Sequence, residues 1–157
     1  MSRILVTAAG AFLAASMYAV FFDVRRLNIV TSGVIAGVAA VVSEVCRLQG
    51  MNETGCAFVT GLVFAGLSEV CARLCRTPVT TYLPSVLMPF VPGRMMLYMV
   101  GEIVQGQQDL ALQRLIEILS IAGALALAIL IMGTLFGLMS RRHTVMRKKL
   151  AARDGRE

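Results

Sequence analysis

The sequence predicts an all-α polytopic integral membrane protein with about five transmembrane helices, the fourth of them broken by proline and glycine. Hydrophobic residues make up 57% of the chain and charged residues only 15%, whereas a soluble domain needs about 25% charged residues to cover its surface. Apolar runs of roughly 20 residues, long enough to cross about 30 Å of hydrocarbon, recur along the chain. Three prolines lie inside the fourth run.

The apolar runs lie near 3–22, 28–46, 55–74, 80–102 and 116–139. Together they form one transmembrane domain, residues 1–140, followed by a basic cytoplasmic tail, residues 141–157. The first run is a membrane helix rather than a signal peptide, because it is long, lacks a clear small-x-small cleavage site and leads directly into Asp23. No polar connection between the runs is long enough to fold alone.

The basic residues predict the orientation. With the N-terminus outside, eleven lysines and arginines lie on the cytoplasmic side: the seven of the tail together with Arg25, Arg26, Arg73 and Arg76. Only Arg3, Arg47 and Arg114 then lie outside. This bias favours a multi-pass protein of the cytoplasmic, or inner, membrane with a cytoplasmic C-terminus. The net charge of +6 is concentrated in the tail, so it indicates contact with anionic membrane lipid rather than with nucleic acid.

Small residues predict where the helices touch. Three pairs have the spacing of a G-x-x-x-G motif: Gly33 with Gly37, Gly61 with Ala65, and Gly133 with Gly137. Close backbone approach at such pairs drives helix association in lipid. We therefore expect a tight bundle that also associates with other subunits, as a homo-oligomer or with a partner.

The fourth run, LPSVLMPFVPGRMMLYMV at residues 83–100, contains Pro84, Pro89 and Pro92, each of which interrupts helical hydrogen bonding. A half-helix that begins at Pro92 would direct free N–H groups over residues 93–96, and the positive end of the helix dipole, into the bundle. Arg94 adds a full charge there, so the sequence predicts an anion site. The alternative is a kinked structural helix in which Arg94 snorkels or pairs with a carboxylate.

Residues 59–100 resemble the C-terminal membrane domain of the threonine/serine exporter family, and particularly its small stand-alone YjjB-type subunit. The matching features are a glycine-rich third span that ends in ARLCRTP and the following pattern of Pro84, Pro89, Pro92, Gly93 and Tyr98. The N-terminal stretch AASMYAVFFDVRRLNIVTSGVIAGV, the length and the basic tail agree with that subunit as well.

The resemblance implies a membrane subunit of a secondary transporter that exports small carboxylate-bearing metabolites, either threonine and serine or succinate-type dicarboxylates. It also implies a YjjP-type partner subunit. For substrate binding it points first to the backbone at Pro89, Pro92 and Gly93, then to Tyr98, and third to Arg94, because the residue after VPG varies in the family. The alternative hypothesis is a structural membrane subunit that stabilises a partner without contacting substrate.

The other ionisable residues within the apolar runs are candidates for a structural or a functional role. Glu69 lies one turn before Arg73, in the order that favours an internal ion pair, but a carboxylate in a span can also couple transport to protons. Glu102 lies near the outer end of the broken span and is a second candidate for ion coupling. Glu44 is expected to reach water or Arg47.

The threonines near the prolines, and also the four cysteines, are interpreted as structural residues. The hydroxyls of Thr77, Thr80 and Thr81 are expected to satisfy carbonyls that the prolines free. The cysteines Cys46, Cys56, Cys71 and Cys75 form no C-x-x-C pair, so we interpret them as small buried residues rather than as metal ligands or disulfides.

No motif of an enzyme is present. The single histidine, His143, lies in the tail, and the chain has no H-E-x-x-H, P-loop or G-x-G-x-x-G sequence. We therefore expect neither catalysis nor a cofactor or metal.

Overall fold

A computed structural model describes residues 2–24, 26–75 and 77–154, with side chains from Arg3 to Leu138 apart from Leu27. Every regular element in this part of the chain is helical, which confirms the all-α class. The elements are α1 (Ser2–Phe21), α2 (Arg26–Leu48), α3 (Glu53–Leu74), α4 (Leu83–Leu87), α5 (Gly93–Val104) and α6 (Gln108–Asp154), with 3-10 turns at Val79–Thr81 and Met88–Phe90. Arg25, Arg76 and the tail side chains, which carried the orientation prediction, lie outside the described residues.

Within the described residues, four helices are long and apolar enough to cross a membrane: Arg3–Phe21, Asn28–Leu48, Glu53–Leu74 and Gln108–Leu138. A fifth crossing consists of two short pieces, Leu83–Phe90 and Gly93–Val104, which meet at an angle of 47°. The start of the bent pair lies beside Asp23, whereas Arg114, just after its end, lines one cavity with Arg47 and Glu53. Because these groups mark opposite ends of the bundle, the pair crosses it rather than turning back.

Each end of the bundle is identified by the chain segments that lie there. The N-terminal end holds the start of α1 and the turns at residues 49–52 and 105–107, and the opposite end holds residues 22–24 and 77–82. Gly50 and Gly106, each with φ of 76°, allow the two turns of the N-terminal end to reverse direction in few residues.

The last span begins at Gln108, eight residues earlier than the predicted start at 116. The segment from Gln105 to Gln113 is polar and was therefore predicted as a connection; Arg114, which follows it, is paired with Glu102 of α5. α6 also continues through the tail to Asp154 as one helix of 47 residues. No proline interrupts residues 108–154, and the tail is rich in lysine and arginine, which favour helix.

Helix packing confirms two of the three predicted small-residue contacts. A Cβ at Gly33 would lie against Phe12 and Ser16 of α1, so this glycine allows α1 and α2 to approach closely. A Cβ at Gly61 would lie 2.7 Å from the Cβ of Ala128 on α6. The prediction for the third pair is wrong within the described part of the chain, because a Cβ at Gly133 or Gly137 would meet no described atom within 4 Å. That pair lies on a face of α6 that the other helices do not reach.

α4 occupies the centre of the bundle. It packs against α1, α2 and α3, whereas α5 packs against α6. Its buried residues Ser85 and Val86 join Tyr82 and the small core residues Ala15 and Ala36 of α1 and α2. Large apolar side chains such as Phe21, Leu74, Leu97 and Val104 are strongly exposed around the outside, as expected for surfaces that face lipid.

Candidate functional site

Three consecutive residues, Val91, Pro92 and Gly93, build the break between the two halves of the bent span. Val91 ends the preceding 3-10 turn with an extended backbone, φ −64° and ψ 132°. Pro92 caps α5 with φ −75° and ψ 53°, and the Gly93 N–H donates to the Val91 carbonyl oxygen at 2.7 Å. The half-helix therefore begins at Gly93 rather than at Pro92, because the ψ of Pro92 is not helical.

The first turn of α5 leaves two backbone donors. The Met96 N–H donates to the Pro92 carbonyl oxygen at 3.2 Å, and the Gly93 N–H is used within the break. In the part of the chain that the structure describes, the N–H groups of Arg94 and Met95 have no backbone acceptor. The predicted set of free N–H groups over 93–96 is thus reduced to two, at the positive end of a 12-residue helix.

A cavity of about 730 Å³, here called the broken-helix cavity, opens beside this break. The 12 residues of α5 place the break about 18 Å from the N-terminal end, near the middle of the apolar layer. All five residues predicted to bind substrate line the cavity: Pro89, Pro92, Gly93, Arg94 and Tyr98. Residues of α1, α2, α3 and α6 complete its wall, so five helices of one chain line this partly open cavity.

Two ion pairs stabilise the wall of the broken-helix cavity. Arg47 at the end of α2 donates to Glu53 at the start of α3, with 2.8 Å between Nη2 and Oε2. Arg114 of α6 binds both carboxylate oxygens of Glu102, with N–O distances of 2.7, 2.9 and 3.0 Å. Arg114 also lies over the Tyr98 ring, 5.7 Å from its centroid. These contacts hold α5 against α6 and join α2 to α3.

Two charged residues of the same wall, Arg94 and Glu44, form no ion pair with any residue that the structure describes. The Arg94 guanidinium donates to the Tyr98 hydroxyl at 3.4 Å and, among the described residues, forms no ion pair. Glu44 was expected to reach water or Arg47; Arg47 binds Glu53, so the second alternative is not realised. The cavity therefore combines a cation and a carboxylate that are both available to a ligand.

The structure does not bring the two carboxylates predicted for ion coupling into this cavity. Glu102 lies behind the wall in its ion pair with Arg114, with its side chain 15% exposed. Glu69 lies towards the opposite end, 3.9 Å from Arg73, in the internal pair that the i, i+4 spacing indicates. Arg73 also donates to the Phe136 carbonyl oxygen at 2.6 Å and lies over the Phe136 ring. This network joins α3 to α6.

Sequence reasoning missed several polar residues of the site. Ser43, Thr60 and Glu53 line the broken-helix cavity, and Thr60 is buried with an unsatisfied hydroxyl. A signal was present in the sequence: Thr60, Phe64 and Ser68 recur at intervals of four residues and so share one face of α3. All three side chains are buried, and Phe64 contacts Phe90 of the bent span.

A second cavity, about 430 Å³, lies at the opposite end of the bundle. Its polar lining residues are Asp23, Asn28, Thr77, Thr80 and Thr81. The three threonines were expected to satisfy carbonyls freed by prolines, but the Thr77 hydroxyl donates to the Tyr82 hydroxyl at 3.3 Å, and the other two border this cavity.

The cysteines lie in different environments. Cys46 and Cys56 are buried, as expected, whereas Cys71 is half-buried and Cys75 is exposed at the end of α3. All four are free thiols.

These features together define a class of protein. A helical bundle that spans the membrane, with a discontinuous helix whose N-terminus borders a central cavity, is the architecture of membrane transporters. The profile of the threonine/serine exporter (ThrE) family matches residues 7–135, and the chain belongs to this family. No curated protein and no solved structure gave a significant match.

Proposed function

We propose that the chain is the membrane subunit of a secondary exporter for small carboxylate-bearing metabolites, and that the broken-helix cavity binds the carboxylate. The observation that carries this proposal is Arg94, whose guanidinium borders the cavity without a carboxylate partner in the described structure. The N–H groups of Arg94 and Met95 lie in the same turn, where the helix dipole favours an anion. A carboxylate at this point accepts charge-assisted hydrogen bonds from both.

Glu44 supports an amino acid rather than a dicarboxylate. A zwitterion places its carboxylate at Arg94 and its ammonium group at Glu44, and both charges of the wall are then paired. A succinate-type dicarboxylate requires a second cation, but Arg47 and Arg114 already hold carboxylates of the protein. The hydroxyls of Ser43 and Thr60 suit the side-chain hydroxyl of threonine or serine.

The decisive experiment measures efflux of labelled threonine, serine and succinate from vesicles with two matched glycine variants. Gly93→Leu places a side chain in the open space at the cavity wall, and Gly101→Leu does the same on α5 outside the cavity. We expect Gly93→Leu to abolish efflux and Gly101→Leu to preserve it, with normal membrane insertion of both. Equal efflux by both variants contradicts the proposal and favours a scaffold that does not contact substrate.

The charged pair provides the substrate test. Arg94→Gln is expected to weaken transport of all three compounds. Glu44→Gln is expected to weaken transport of threonine and serine, which carry an ammonium group, more than that of succinate. If Glu44→Gln lowers succinate transport equally, Glu44 does not read the ammonium group.

The quaternary arrangement belongs to the same proposal. The uncovered glycine pair, Gly133 and Gly137, supports a contact between α6 and another membrane helix, either of a YjjP-type partner or of a second copy. The charge bias supports an inner-membrane location with the N-terminus outside. Co-purification from the native membrane identifies the partner, and loss of that partner from a Gly133→Leu variant is the expected result. Retention of the partner by the variant places the contact elsewhere.

A further inference from the structure

Among the described residues, five buried polar side chains have an atom without a hydrogen-bond partner: Ser16 lies beside Gly33 at the contact of α1 with α2, and the other four are Asn28, Thr60, Ser68 and Ser85. Thr60 borders the broken-helix cavity and Asn28 borders the opposite cavity. Ser68 on α3 and Ser85 on α4 are fully buried within the bundle and line neither cavity. Within the described residues, each of these four side chains has a polar atom with no hydrogen-bond partner. Buried polar side chains nearly always have a hydrogen-bond partner, so five unpaired ones in one small bundle need an explanation.

The α3 helix arranges two of these side chains along the membrane normal. Thr60, Phe64 and Ser68 lie on one helical face, and Ser68 is about 12 Å further from the N-terminal end than Thr60. Ser85 lies on the facing segment α4, one turn before Pro89 at the floor of the broken-helix cavity. The polar groups therefore continue from one cavity into the centre of the bundle.

An aromatic pair separates the polar groups. Phe64 is fully buried, and its ring stacks on that of Phe90 with 5.6 Å between centroids and 9° between planes. Phe90 also lines the broken-helix cavity, so the pair forms the inner limit of that cavity. Thr60 lies on the cavity side of the pair, and Ser68 lies one turn beyond it on α3.

We propose that the translocation path runs through this single chain, from the opposite cavity past Asn28, Ser85 and Ser68 to Thr60 and the broken-helix cavity. The stacked pair of Phe64 and Phe90 is its closed gate. The path suits a small molecule with hydrogen-bonding groups. The unpaired hydroxyls and the Asn28 amide form hydrogen bonds with it one after another as it passes. The inference rests on the proposed function only in taking the broken-helix cavity as the substrate site.

The position of Phe90 gives the gate a means of opening. Phe90 is the last residue of the 3-10 turn before the break, and Phe64 is on the continuous helix α3. A small change at Val91 and Pro92 moves Phe90 away from Phe64 without moving α3. The same break that exposes the N–H groups of α5 therefore also controls access to Ser68 and Ser85.

Cysteine labelling tests the path without knowledge of the substrate. In a chain whose four native cysteines are replaced by alanine, Ser85→Cys is treated with a membrane-impermeant methanethiosulfonate, in right-side-out and in inverted vesicles. Ser43→Cys reports which side reaches the broken-helix cavity, and Val70→Cys, on the exposed face of α3, is the lipid-facing control. Each protein is first checked for membrane insertion and a monodisperse elution profile.

The gate variant is Phe90→Ala. From the side that labels Ser43→Cys, we expect Ser85→Cys to react slowly and to react about tenfold faster when Phe90→Ala is added, since one aromatic pair is lost. Val70→Cys should remain unreactive in both backgrounds. Phe64→Leu, which keeps an apolar side chain of similar size, is the second gate variant and should act in the same direction.

The result that overturns the path is an unchanged rate for Ser85→Cys in both gate variants, or equal acceleration at Val70→Cys. Failure of the proposed function looks different. In that case, Gly93→Leu leaves efflux intact whatever the labelling pattern shows. Labelling that depends on the gate, together with efflux that is insensitive to Gly93→Leu, retains the path and rejects the carboxylate site.

Discussion

The contact of Gly61 with Ala128 allows a quantitative test of the fold around the cavity. A Cβ built at Gly61 lies 2.7 Å from the Cβ of Ala128 and 3.4 Å from a methyl carbon of Leu125, where ordinary contacts begin near 3.4 Å. The Ala128 Cβ is attached directly to the α6 backbone, so Gly61→Ala requires α3 and α6 to separate. Overpacking of this kind destabilises by about 1–3 kcal/mol.

Separation of these helices also affects the site. Leu125 and Thr60, next to the contact, line the broken-helix cavity, so we expect Gly61→Ala to lower export as well as stability. Gly123→Ala makes the same substitution on α6 at a position where no described atom lies within 4 Å. Because alanine favours helix by about 1 kcal/mol over glycine, this control should be neutral or slightly stabilising.

The assay is the thermal midpoint of the detergent-solubilised protein, measured by size-exclusion chromatography after heating. A loss of about 1–3 kcal/mol corresponds to several degrees for a chain of this size. The double variant Gly61→Ala with Ala128→Gly moves the Cβ across the interface and should be more stable than the sum of the two single effects predicts. Additive effects, or a Gly61→Ala midpoint equal to that of Gly123→Ala, refute the close approach of α3 to α6.

Three further predictions concern the charged groups and thiols. Arg114→Gln and Glu102→Gln should each reduce export, because each leaves one charge of the α5–α6 pair without its partner, and the double variant should recover part of it; no recovery assigns Glu102 a role of its own, such as ion coupling. Efflux by Glu69→Gln should keep its dependence on a proton gradient, because Glu69 is already in an ion pair; loss of that dependence assigns Glu69 to coupling. Maleimide followed by mass spectrometry should modify the exposed Cys75 before the buried Cys56, and the reverse order contradicts the described end of α3.

The sequence predicted the elements more reliably than their contacts. Apolar runs and prolines are visible in the sequence, and lipid requires every long apolar run to be helical. Four spans and the break at Pro92 could therefore be predicted from the sequence. The start of the last span was predicted too late because the segment from Gln105 to Gln113 is polar. The pairing of Arg114 with Glu102 in this region depends on how α5 packs against α6.

The candidate site shows the same division. The residues of the break, from Pro89 to Tyr98, are local in sequence, and chain chemistry alone marks them as irregular at membrane depth. The partners that complete the cavity come from four other helices, and no spacing relates Glu44 or Thr60 to Arg94. The ion pairs also depend on tertiary contacts: Arg47 pairs with Glu53 across a turn and not with Glu44 on its own helix.

By itself, the sequence determined that this protein is helical, crosses the membrane several times and divides its fourth helix near Pro92, because hydrophobicity and the missing proline N–H act on the local chain. Only the tertiary structure decided which glycines lie between helices, which charges remain unpaired and which polar groups stand beside the Phe64 and Phe90 rings. Those outcomes depend on contacts between residues far apart in the chain, with Gly61 against Ala128 and Arg73 against Phe136 as examples.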